Sequence, residues 1–200
     1  MHTELCDRFG IQYPIFAFTP SEHVAAAVSR AGGLGVLGCV RFNDADELDG
    51  VLDWMDDNTD GKPYGVDVVM PMKVPTEGKA VDLKAMIPED HISFVERTLQ
   101  QLGVPPLPDG EGREGVLGWL HSVARSHVDI ALSGKHRPVL IANALGSPPK
   151  DVIDQAHAAG VQVAALAGAA KHAMSHVANG VDIIIAQGYE AGGHTGEIAS

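Results

Sequence analysis

Asp182-Ile183-Ile184-Ile185-Ala186-Gln187-Gly188-Tyr189-Glu190-Ala191-Gly192-Gly193-His194-Thr195-Gly196 is an apolar run that passes directly into a glycine loop carrying one histidine. A continuous apolar run of this kind is how a strand buried on both faces reads, and such strands belong to parallel sheets. In barrels and in open parallel sheets alike, the loop leaving the C-terminal end of a strand faces the pocket. Gly192 and Gly193 let the backbone approach a ligand closely, and His194 offers a side chain that titrates near neutral pH.

The same pattern extends upstream. Pro138–Ala142 and Val161–Leu166 read as strands, and Pro149–Ala159 and Ala169–Ala178 read as the helices between them. Nearer the N-terminus, strands are expected at Tyr13–Phe18, Leu34–Val40 and Tyr64–Met70. Helices are expected at Val24–Arg30, with Ser21 as N-cap and Gly32-Gly33 as the stop, and at Ala45–Asp56. From Lys73 to about Gly115 the rhythm breaks, because Pro75, Pro88, Pro105, Pro106 and Pro108 are scattered among charged residues. We read an insertion at about residues 73–135 within a single domain over residues 1–200; it holds one helix at Glu89–Leu102 and another, Val116–Leu132, that leads back to the core.

Strand and helix units in alternation imply an α/β fold with a parallel sheet and right-handed crossovers. Two architectures fit six such units. One is an incomplete (β/α)8 TIM barrel, which needs about 250 residues and whose strands seven and eight would lie beyond Ser200. The other is an open, doubly wound six-stranded sheet. Composition favours neither.

The formal net charge of −12 argues against a nucleic-acid partner, since phosphate binding rests on Lys and Arg. Apolar runs fall far short of the roughly 20 residues of a membrane helix, and Met1-His2-Thr3-Glu4 is no secretory leader, so a cytoplasmic protein without a membrane partner is expected. Cys6 and Cys39 lack metal or redox spacing and read as reduced, structural thiols.

Gly33-Leu34-Gly35-Val36-Leu37-Gly38 has the G-x-G-x-x-G spacing of a dinucleotide fingerprint, but the fingerprint needs a strand before the glycines and a helix after them. Here the order is reversed, so these glycines read as a helix stop and a site of tight helix-to-sheet packing. His172 and His176 stand four apart on a helix without a third ligand, and a helix face is the better explanation. His121, His127 and His136 show no constellation. No metal is expected. The loop at His194 is left with two readings, a pocket-forming catalytic loop or a glycine turn whose histidine bonds the backbone.

Ala186-Gln187-Gly188-Tyr189-Glu190-Ala191-Gly192-Gly193-His194-Thr195-Gly196 resembles the AQGxEAGGHxG signature of nitronate monooxygenases, formerly 2-nitropropane dioxygenases. They share a flavin-binding barrel with FMN-dependent enoyl-acyl-carrier-protein reductases. Phe9-Gly10-Ile11-Gln12-Tyr13-Pro14-Ile15, Ala27-Val28-Ser29-Arg30-Ala31-Gly32-Gly33-Leu34-Gly35 and Tyr64-Gly65-Val66-Asp67 are similar to the same family. The resemblance implies an FMN-dependent TIM barrel that oxidises alkyl nitronates with dioxygen to a carbonyl compound and nitrite. It implies that His194 is the base toward a neutral nitroalkane or the group that steadies the nitronate. Ala17, Phe18, Thr19, Asp67, Gln187, Gly192 and Gly193 would line the flavin.

The chain also departs from the family. Ala17-Phe18-Thr19-Pro20 stands where Gln-Ala-Pro-Met is common, and Asp67 where asparagine is usual. The insertion after Met72 is longer than in the simplest members and is suited to a lid or to a homo-oligomer contact. With the phosphate-binding loops of strands seven and eight beyond Ser200, the stretch to Ser200 alone is expected to bind FMN poorly. An NAD(P)H-dependent flavin reductase acting on an enoyl thioester or quinone, and a non-catalytic metabolite-binding domain, are the alternatives.

Overall fold

The computed structural model describes residues 1–70, 87–106, 108, 118, 120–188 and 190. They fall in two compact units, Met1–Pro75 with Val116–Ser200, and Thr76–Gly115.

The first unit begins with a short helix, α1 (Glu4–Phe9), that the sequence reading missed. There follow β1 (Phe16–Thr19), α2 (Glu22–Arg30), β2 (Leu34–Gly38), a single 3-10 turn over Cys39–Arg41, α3 (Ala45–Asn58) and β3 (Tyr64–Val68). The second unit contributes α4 (Glu89–Gln101), none of whose side chains is buried. The first unit resumes with α5 (His121–Ala131), β4 (Leu140–Asn143), α6 (Lys150–Ala158), β5 (Gln162–Ala167), α7 (Ala170–Ala178) and β6 (Ile183–Ala186). Each sequence-predicted strand is present, generally shortened by one to three residues at an end.

Local chemistry accounts for the helix starts. The Ser21 hydroxyl accepts from the Val24 N–H at 3.4 Å, and the Asp44 carboxylate accepts from the Glu47 N–H at 2.8 Å, each capping a free amide at a helix N-terminus. Along α3, Leu48, Leu52 and Met55 recur at helical spacing and are fully buried, each contributing roughly 2 kcal/mol of apolar burial.

All five strand pairs are parallel and the order is β1-β2-β3-β4-β5-β6. A doubly wound sheet reverses its order at a switch point, and none occurs here. The sheet curls instead into a half-barrel with two cores. On the convex face Leu37, Val66, Val68, Ile141, Val163 and Ala165 meet the helices. On the concave face Leu34, Val36, Leu140, Ala142 and Ala164 cluster with Cys6 and Phe9 of α1, which plugs the N-terminal end. Phe9 meets Phe16 edge to face at 5.5 Å.

Gly35 explains the reversed glycine pattern. A Cβ there would lie 1.9 Å from the Ala25 carbonyl oxygen, so only glycine lets α2 seat on β2. Both cysteines are free and buried.

Candidate functional site

The ladder register assigns side chains to faces, because laterally paired residues of a parallel sheet point the same way and alternate along each strand. One concave layer holds Phe18, Val36, Gly65, Leu140 and Gln162. The next layer toward the C-terminal ends holds Gly38, Asp67, Ala142, Ala164 and Ile183. This layer holds a glycine, two buried alanines, an isoleucine and one carboxyl, near the C-terminal rim. That rim is where barrels of this kind build their sites. Two concavities among the described residues, one at Gly134, His136 and Val161 and one at Gln12, Gly32 and Lys62, open at the opposite, N-terminal ends of the strands.

Of the three sequence-named residues on β1, Phe18 turns its side chain to the concave face and is 44% exposed. Ala17 and Thr19 alternate to the helix side. There the Thr19 hydroxyl accepts from the Ser21 N–H at 3.1 Å, shaping the turn into α2. Asp67 sits on the concave face near the end of β3, and its Oδ1 is enclosed without a hydrogen-bond partner among the described residues. Burial pushes its carboxyl up to about 7. Gln187 follows β6 directly, and its N–H donates to the Ala167 carbonyl at 3.0 Å, extending the ladder one residue toward the rim. Gly192, Gly193 and His194 lie outside the described residues.

Sequence reasoning missed a polar network that fixes the loop between β4 and α6. The Asn143 side chain accepts from the Met70 N–H at 3.0 Å and donates to the Met70 and Gly146 carbonyls at 3.2 and 2.9 Å. His176 is buried and donates through Nε2 to the Leu166 carbonyl at 2.9 Å, so its Nδ1 accepts from the Ser147 hydroxyl at 2.6 Å. The Asn179 amide donates to that hydroxyl at 3.1 Å. His176 therefore ties the rim loop to α7. No group of metal-ligating side chains occurs among the described residues.

His136, read from sequence as lacking any constellation, has one. Its Nδ1 and Nε2 donate to Asp56 and Asp49 at 2.9 Å each, and the Lys135 ammonium reaches Asp49 and Asp53 at 2.6 and 3.0 Å. The three carboxylates share one face of α3. Hydrogen bonds from Lys135 and then His136 hold the Asp49 carboxyl below its usual range. The cluster lies at the N-terminal ends of β3 and β4, where it joins α3 to the chain entering β4.

Six parallel strands in sequential order, curled around a helix that plugs their N-terminal end, define half of a (β/α)8 barrel. The chain belongs to the nitronate monooxygenase family, whose model matches residues 2–200. It is 44% identical over 207 residues to a candidate monooxygenase of Mycobacterium tuberculosis, covering 100% of this chain and 54% of that protein. It is 30% identical over 196 residues to the nitronate monooxygenase of Paraburkholderia phytofirmans, covering 96% and 50%. Among solved structures it is similar to the nitroalkane oxidase of Streptomyces ansochromogenes, with a TM-score of 0.69, 27% identity and coverage of 97% and 51%. The FabK structure from Thermotoga maritima, at a TM-score of 0.64, 23% identity and coverage of 99% and 48%, shares the fold. The chain thus spans about half the length of the curated relatives it matches. Among the described residues no helix is long and apolar enough to cross a membrane.

Proposed function

We propose that this chain forms one wall of a cytoplasmic, FMN-dependent enzyme that oxidises alkyl nitronates with dioxygen to a carbonyl compound and nitrite. The observation that carries the reading is the sequence Gln187–Gly196, which follows β6 directly along the chain and matches the signature of the family to which the chain belongs. The nitroalkane oxidase named above is consistent with it.

The residues present fit a flavin. Gly38 carries no side chain at the end of β2, and the Asp67 carboxyl, whose Oδ1 has no partner among the described residues, offers a polar contact beside it. Phe18 would cover one side, while Gln187, Gly192 and Gly193, together with the backbone at Ala17 and Thr19, would complete the cradle. When bound, FMN supplies electron acceptance and the reaction with dioxygen, which no side chain here offers.

His194 acts as the base. An imidazole takes the α-proton of a neutral nitroalkane onto a ring nitrogen, the C–H electron pair stays on the substrate as the nitronate, and the resulting imidazolium faces that anion. The His194→Asn variant is expected to keep FMN and to lose roughly 10²–10⁴-fold in turnover of neutral nitroalkane. Turnover of a nitronate supplied as the anion should fall much less. Unchanged turnover of the neutral substrate would refute the proton-transfer role.

A further inference from the structure

Among the described residues Asp67 has no counter-ion. Its layer neighbours are Gly38 on β2, Ala142 on β4, Ala164 on β5 and Ile183 on β6. Among the described residues the nearby titratable group is the Cys39 thiol, held neutral by burial and by the Asp67 carboxyl itself. Arg41, the cation closest in sequence to that turn, is engaged elsewhere, with Glu22 at 2.6 Å and over the Phe42 ring at 4.1 Å. The enclosed Oδ1 meets no donor among the described residues.

We propose that Asp67 is a proton-gated ligand contact: as the neutral acid it recognises the –C(=O)–NH– edge of an imide-bearing planar ring, and its ionisation weakens the hold on that ring. The inference rests on the flavin reading, since the isoalloxazine ring carries such an edge. A neutral carboxyl presents an O–H donor beside a carbonyl acceptor, the complement of the imide's acceptor beside its donor. A carboxylate has acceptors only, so it forfeits one of the two bonds and sets negative oxygen against the imide carbonyl. A ring lying over Asp67 would also strip its remaining water with no cation to compensate, which disfavours the charged form further. Because burial brings the free carboxyl to about 7, both protonation states are populated near neutral pH.

The test is a titration of FMN into the protein between pH 6 and 8.5, followed by quenching of flavin fluorescence, with wild type beside Asp67→Asn. Asparagine keeps one donor and one acceptor at every pH. The wild-type dissociation constant is expected to rise roughly 10- to 30-fold across the range relative to that of the variant. The phosphate of FMN titrates equally in both and cancels. Riboflavin, which has no phosphate, gives the same slope with wild type alone and serves if the variant does not fold. Parallel pH profiles, or wild-type binding that tightens as pH rises, overturn the inference while leaving the flavin reading intact. Failure to bind FMN or riboflavin at any pH would overturn both.

Discussion

His127 lies on α5 with its ring fully buried, packed edge to face against Phe42 at 6.4 Å, and neither ring nitrogen has a hydrogen-bond partner among the described residues. Burial lowers its proton affinity below the usual value of 6.5. The unfolded chain takes up this proton as pH falls through about 6.5, and the folded chain does so only at lower pH. The unfolded state thus binds more protons in that window, and folding stability falls on acidification. His127→Leu should remove this loss and add about 1–3 kcal/mol at neutral pH by relieving an unsatisfied polar group. Urea unfolding of both proteins at pH 5 and 7.5 would show it; a variant no more stable than wild type, with the same acid sensitivity, would refute the assignment. Residues of this sort are illegible in sequence. Asn143, Ser147 and His176 also carry no local signal, because Asn143 meets Met70 and Ser147 meets His176 only after the chain has folded.

At the scale of elements, α2 is held against β2 by the absence of a side chain at Gly35. Gly35→Ala should cost about 3 kcal/mol, because the added Cβ meets backbone that cannot turn aside. A fall in midpoint denaturant concentration at unchanged slope would confirm it, and a neutral substitution would contradict it. This part of the fold was legible, since the order helix, glycines, strand already separated packing glycines from a phosphate loop. The β4-to-β6 alternation was legible for a similar reason: buried parallel strands are short apolar runs flanked by helical spacing. α1 was not, because only Cys6 and Phe9 of its six residues are buried, and what they bury against is strands far along the chain.

At the scale of the molecule, the choice between half-barrel and open sheet could not be made from strand count, because both architectures use the same apolar runs and crossovers. It turns on lateral order, and the unbroken β1-to-β6 sequence resolves it. That order sets Phe18, Asp67 and Gln187 on strands at both edges and in the middle of one curled sheet, toward a common C-terminal rim. Of the sequence-named residues, Phe18, Asp67 and Gln187 fall toward that rim, and Gly192, Gly193 and His194 lie outside the described residues. The histidine loop rests on its sequence signature and family. Anaerobic mixing of the flavin-loaded protein with an alkyl nitronate tests the combined account most directly. The account predicts loss of the oxidised flavin absorbance, followed on admission of dioxygen by its return and by release of nitrite and a carbonyl compound. Loss of that absorbance with NADH or NADPH but not with the nitronate would contradict it.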